Sequence, residues 1–168
     1  MKKQRILKDI VFVLLLVGID YFTKQLVIRF LKGQENIVLI KNILELEYLE
    51  NFGAAFSSFM GKRGLLVIIT ALVMIFLVWK LFQLPDERHF FWMRFCILLV
   101  FSGALGNFID RVANGYVVDF IYFVPIDFPK FNFADICVTC GVILLVFLLF
   151  FYYEEKDLDL LLSLKKKA

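Results

Sequence analysis

Four stretches of mostly apolar residues, at about 6–30, 64–84, 90–110 and 133–153, dominate this chain. An α-helix needs roughly 20 such residues to cross the hydrocarbon core of a bilayer. Lipid offers no partner to an open backbone, so runs of this kind fold as helices whose hydrogen bonds close internally. The expected architecture is an all-α membrane protein with four transmembrane helices, one integral membrane domain over residues 1–168. Composition agrees: 61% of the residues are hydrophobic, only 21% are charged, and the mean hydropathy is +0.81. Twenty-one Phe against three Pro and nine Gly exclude a disordered or collagen-like chain. A formal charge of +3, with its Lys and Arg scattered, excludes nucleic acid as a partner, because phosphate binding needs a concentrated basic face.

The first run begins with the basic Met1-Lys2-Lys3-Gln4-Arg5, as a secretory signal peptide would. No small-x-small cleavage site follows Leu16 and the helical pattern continues past Asp20, so a retained helix is expected. Basic residues favour the cytoplasmic side. The N-terminus, the Lys80–Arg94 connection and the tail hold eleven of them (Lys2, Lys3, Arg5, Lys8, Lys80, Arg88, Arg94, Lys156, Lys165, Lys166 and Lys167), against seven on the other side. Both termini are therefore expected inside, with segments of about 31–63 and 111–132 facing outward. In the first of these, Ile37 to Glu50 alternates apolar and acidic residues with period two after Leu44, which predicts a short hairpin or curved sheet. The competing reading is an amphipathic segment lying on the membrane.

Ionisable residues inside a span cost about 2.5–3.5 kcal/mol each on insertion scales, so each needs a partner or a task. Asp20 and Lys24, four apart, share a helix face and form an expected ion pair. In Gly103-Ala104-Leu105-Gly106-Asn107-Phe108-Ile109-Asp110-Arg111, small residues permit close packing beside Asn107. Asp110 sits at the negative end of its helix and so requires a cationic or amide partner. Asn114-Gly115 then stops the helix. Asp119 interrupts the extended run Val117-Val118-Asp119-Phe120-Ile121-Tyr122-Phe123, where apolar neighbours would raise its pKa. Asn132 and Asp135 have the spacing of a capping box, and the positive helix end favours charge on Asp135. Two carboxyls pushed in opposite directions are what a proton-sharing dyad needs. Asn51-Phe52-Gly53-Ala54-Ala55-Phe56 offers an amide side chain beside small residues that a peptide backbone could approach.

Cys96, Cys137 and Cys140 lie within apolar runs and read as small buried hydrophobes with free thiols. No metal site is expected, since they lack partner ligands. The only histidine, His89, falls on the cytoplasmic side, which argues against Ser/His catalysis.

Taken together, these residues resemble the bacterial lipoprotein signal peptidases (signal peptidase II), aspartic proteases of the cytoplasmic membrane. The likeness runs over nearly the whole chain: Asp20 and Lys24, Asn51 to Phe56, Gly103 to Arg111, Val117-Val118-Asp119-Phe120, and Asn132-Phe133-Ala134-Asp135 occur in the family's order. The resemblance implies a small extracytoplasmic β-cradle on four transmembrane helices. It also implies removal of the signal peptide from prolipoproteins just before a diacylglyceryl-modified cysteine, with membrane lipid as surroundings, no cofactor or metal, and no obligate protein partner. Carried over by position, the catalytic pair falls on Asp119 and Asp135. Asn51, Gly53, Asn107, Asp110, Arg111 and Asn132 fall on positions lining or bracing the site, with Asp20 and Lys24 in support. Asp110 competes with Asp119 for the partnership with Asp135. Asp119 is preferred because Asp110 sits beside Arg111, expected to hold it ionised. A carrier or proton relay is the rival class, but no carboxylate is expected to extend a path through the second helix or the cytoplasmic halves of the first and third. A structural subunit, the third class, would work without Asp119.

Overall fold

The computed structural model describes residues 2–53 and 63–157. Ala54, Ala55, Phe56 and the tail from 158 lie outside the described residues. The elements are α1 (Lys2–Leu31), β1 (Ile37–Ile40), β2 (Leu44–Asn51), α2 (Arg63–Gln83), α3 (Phe91–Ala113), β3 (Val117–Phe123) and α4 (Phe133–Phe151), with single 3₁₀ turns at Arg88–Phe90 and Val124–Ile126. The described chain is therefore mostly helical with one small sheet.

Three segments, Arg63–Gln83, Arg88–Ala113 and Phe133–Phe151, are long and apolar enough to cross a membrane by length and composition. Four were expected. The remaining helix, α1, is long enough, but Arg5, Lys8, Asp9, Asp20, Lys24 and Arg29 are distributed along it. Large apolar side chains face outward from the bundle, including Ile75 (66% exposed), Phe82 (69%) and Phe150 (78%).

At 1.5 Å per residue the 30 residues of α1 extend about 45 Å. Its C-terminal end packs Val27 and Leu31 under the sheet against Val118 and Phe120. Its other end meets the α2–α3 connection, where Arg5 pairs with Asp86. One turn further on, Asp9 forms a two-pronged pair with Arg94 of α3, whose Nη1 also donates to the Leu81 carbonyl (3.4 Å). The expectation that the halves of α1 and α3 remote from the sheet lack a carboxylate is thus corrected. Asp9 is there, matched by a guanidinium whose planar fork suits a carboxylate. A second apolar cluster at this end joins Leu84, Phe90, Met93, Cys96, Ile97, Leu148 and Tyr153.

The alternating segment forms a hairpin. β1 and β2 pair antiparallel with Ile37 opposite Leu46, and Asn42 takes the turn at φ 60°, a left-handed conformation that Asn tolerates. β3 pairs antiparallel with the other edge of β2, Leu49 opposite Asp119 and Asn51 opposite Val117. A bulge between Leu46 and Leu49 bends this ladder. The chain then doubles back, and Phe131 bridges to Ile121, with its carbonyl accepting from the amides of Phe120 and Ile121. That bridge delivers Asn132 to β3 at the entry to α4.

Two glycines let α3 approach its neighbours. A Cβ at Gly103 would fall on the Ala134 carbonyl oxygen and 2.8 Å from Val138 Cγ2, and one at Gly106 would lie 2.5 Å from Asp20 Oδ2. Gly103 therefore lets α3 press against the start of α4, and Gly106 makes room for the Asp20 carboxylate of α1. A Gly103→Ala variant should lose about 1–3 kcal/mol through overpacking. Gly64→Ala, where nothing lies within 4 Å, should be neutral or slightly stabilising. Thermal unfolding of both proteins in one detergent checks the contrast.

Candidate active site

The start of α4 organises this region. Asn132 is extended at the N-cap; its Oδ1 accepts from the amide of Asp135 (3.0 Å), while Asp135 Oδ2 accepts from the Asn132 amide (3.0 Å), completing the capping box. A third group serves the same helix end from a distance. Asp20 Oδ1 accepts from the Ala134 amide (3.0 Å), so α1 helps to cap α4.

Lys24 lies next to that contact, with only 2% of its side chain exposed. Its ammonium donates to Asp20 Oδ2 (2.8 Å) and to Asn107 Oδ1 (3.0 Å). Asp110 Oδ2 is also 2.8 Å from the ammonium, in an ion pair. Asp110 thus has its cation, though a different one from that expected. Arg111, one residue on, projects about 100° further round the helix and turns away from it. Its guanidinium donates instead to the Gly53 carbonyl (3.1 Å).

These contacts determine the polarity of three amides. Side-chain N and O of asparagine look alike, so orientation has to come from partners that can only donate. Lys24 is donor-only, which turns the Nδ2 of Asn107 toward Asp135 Oδ1 (2.8 Å). The Asp135 amide is donor-only, which turns the Nδ2 of Asn132 toward Asp119 Oδ1 (2.7 Å). Likewise the Gly53 amide, donating to Asn51 Oδ1 (2.9 Å), turns the Nδ2 of Asn51 toward Asp119 Oδ2 (2.8 Å). All three amides present N–H groups to two carboxyls. Asn51 was expected to meet a substrate backbone; here both ends of its amide are occupied.

Asp119 is 2% exposed, at the middle of the strand. Burial, then the negative charge of Asp135, pushes its carboxyl up to about 7, against the opposing hydrogen bonds from Asn51 and Asn132 and the charge of Lys24. Both Asp119 and Asp135 line one cavity of roughly 890 Å³, together with Asn51, Gly53, Asn107 and Arg111. Ile136, Val138, Thr139 and Cys140 continue its wall along α4. Cys140 is exposed, contrary to its reading as a buried hydrophobe, because α4 turns it into this cavity, while Cys96 and Cys137 are buried. Asp20, Lys24, Asp110 and Asn132 do not line the cavity; they stand behind its wall.

Signal peptidase (SPase) II is the family whose model matches residues 12–151. The chain belongs to the signal peptidase II family. It is 40% identical to the lipoprotein signal peptidase of Streptococcus pneumoniae over 146 residues, covering 87% of this chain and 93% of that one. The Clostridium novyi lipoprotein signal peptidase is 42% identical over 135 residues, or 78% and 90% of the two chains. A bacterial membrane enzyme solved by the in meso method at 2.3 Å resolution superposes with a TM-score of 0.75 at 35% identity, covering 96% of this chain and 94% of that one. A second such structure, at 1.9 Å, has the same TM-score at 37% identity and covers 87% and 94%. As a member of signal peptidase II, the chain is an aspartic peptidase.

Sequence reasoning passed over two contacts beside the site of this peptidase. Lys32 Nζ and the Tyr48 hydroxyl both reach Glu50 Oε1 (2.8 Å each), fixing β2 just before Asn51. Arg63, in the first turn of α2, donates to the Arg111 and Val112 carbonyls. A signal for Arg63 existed, since a cation at a helix N-terminus opposes that helix's own dipole and so serves something else.

Replacing Lys24 by Met should cost about 3–5 kcal/mol, because Asp20 and Asp110 would be left as buried carboxylates without a cation. Chemical or thermal unfolding of Lys24→Met against the parent in the same detergent measures the loss.

Proposed function

We propose that this chain is an intramembrane aspartic endopeptidase that removes signal peptides from diacylglyceryl-modified prolipoproteins, cutting before the lipidated cysteine, with Asp119 and Asp135 as its catalytic pair. One observation carries the reading: two carboxyls line a single cavity, and each is held by amide N–H groups of fixed polarity. Asp110 is the weaker candidate, because it stands behind the wall and is committed to Lys24.

In the proposed reaction Asp119 carries the proton and Asp135 is ionised. Water between them gives a proton to Asp135 as its oxygen attacks the scissile carbonyl carbon. Protonated Asp119 meanwhile gives its proton to the carbonyl oxygen. Collapse of the tetrahedral intermediate returns that proton to Asp119, and the proton on Asp135 passes to the leaving amine as the C–N bond breaks. Asn107 and the Asn132 amide hold the Asp135 carboxylate, while Asn51 and Asn132 hold Asp119. Arg111 and Gly53 shape the wall along which the peptide backbone would lie.

The placement in the cell belongs to the same proposal. All four long helices span the cytoplasmic membrane as one integral domain, α1 using Asp20 and Lys24 as a self-neutralising pair within it. Both termini are cytoplasmic, and the sheet with the cavity is at the outer face. Lipidated substrate then enters from the bilayer alongside the apolar residues of α4. Lys24, Asp20, Asp110 and Asn132 act as supports.

Asp119→Asn and Asp135→Asn proteins, checked for equal folding, should each lose cleavage of a diacylglyceryl-modified prolipoprotein by at least about 10³-fold, read on a gel. Retained activity in Asp119→Asn would move the second carboxyl to Asp110. The pH profile follows from the raised Asp119 carboxyl. Its protonated form is needed, so kcat/KM should fall as pH rises through about 7, with an apparent constant that belongs to the pair. The Asn51 hydrogen bond favours the charged form of Asp119. Asn51→Ala should therefore move this alkaline limb to higher pH, and a limb that stays or moves down would count against the assignment.

A further inference from the structure

Arg63 opens α2, where a positive side chain gains nothing from its own helix. Its guanidinium is used on α3 instead: Nε donates to the Arg111 carbonyl (2.8 Å) and Nη2 to the Val112 carbonyl (2.9 Å). The Asp110 carbonyl is taken by the Asn114 amide (2.7 Å). Asp110 thus keeps the ordinary helical bond, and two of the orphan carbonyls beyond it are satisfied by one side chain from another helix. Space for the guanidinium is provided by Gly115, whose φ of +91° suits glycine and where a Cβ would lie 3.0 Å from Arg63 Nη1.

The residue so held is Arg111. Its own side chain donates to the Gly53 carbonyl (3.1 Å), and both Arg111 and Gly53 line the cavity. One residue of α3 therefore fastens β2's exit through its side chain and α2's entry through its carbonyl. We infer that Arg63 is a positioning residue for substrate binding: it fixes the last turn of α3, so that Arg111 holds Gly53 and the cavity wall in the geometry the peptide backbone requires. Arg63 contacts neither carboxyl of the proposed pair, so its effect falls on binding rather than on the chemical step.

This inference rests on the peptidase reading, and the experiment separates the two. Steady-state cleavage of a diacylglyceryl-modified prolipoprotein is measured for the parent, Arg63→Gln and Arg63→Lys, with hydrogen exchange of the α3 amides recorded on the same proteins. The expected result is a KM raised about tenfold in Arg63→Gln, kcat within about twofold, an unmoved alkaline limb, and faster exchange in the last turn of α3. Arg63→Lys, able to reach one carbonyl at a time, should fall between. Faster exchange with unchanged KM would leave Arg63 a helix cap only and overturn the inference. A fall in kcat at constant KM would overturn it too. Failure of the parent to cleave would instead sink the peptidase reading on which it stands.

Discussion

A buried ammonium with three oxygen neighbours holds this site together. Lys24 is nearly inaccessible, and taking its charge out of water is costly enough that the surroundings have to be built to receive it. Asp20, Asn107 and Asp110 supply the three oxygens, from α1 itself and from two turns of α3. Everything downstream inherits that arrangement. Asp20, held by Lys24, caps α4; α4, so fixed, presents Asp135; and Asn107, oriented by the same ammonium, meets Asp135 from the other side. Gly106 is small because Asp20 must reach past it.

A pattern follows in which polarity is passed along rather than contact alone. Each asparagine near the cavity has its oxygen committed to a group that can only donate, and so has only N–H to offer the carboxyls. The sheet contributes one of the three, the helix cap another, and α3 the last. A carboxyl receiving a single N–H on each oxygen still has lone pairs for a proton, which is why Asp119 can be firmly held and yet accept one. Burial supplies the rest, because β3 holds Asp119 nearly inaccessible at the cavity wall.

Much of the framework was legible in the sequence. The apolar runs located the helices to within a few residues, the period-two alternation located β2, and the Asn132–Asp135 spacing located the cap, since each is a local rule with a fixed period. Asp119 stood out because a carboxylate in a β-branched and aromatic run has no local justification. What escaped was everything that depends on how helices are rotated against one another. Asp110 was matched to Arg111 by adjacency, whereas its cation lies 86 positions earlier on another helix. Asp9 with Arg94 and Arg63 with the end of α3 escaped for the same reason. The exposure of Cys140 follows from where the cavity opens, which no spacing within α4 reveals. As for α1, its charges keep it below the apolarity of the other three long helices, although those within its middle neutralise one another in the fold.

The division of the cavity into a braced polar wall and a simple α4 face has a consequence for inhibition. On the polar side each residue serves two or more partners, so changes there are coupled and single replacements leave charges or donors stranded. A compound that takes its affinity from that side meets a surface with few tolerated escape routes. Along α4, Ile136, Val138, Thr139 and Cys140 contribute mainly shape to the wall. Resistance would arise there, one methyl or thiol at a time, and a durable compound would touch that face lightly.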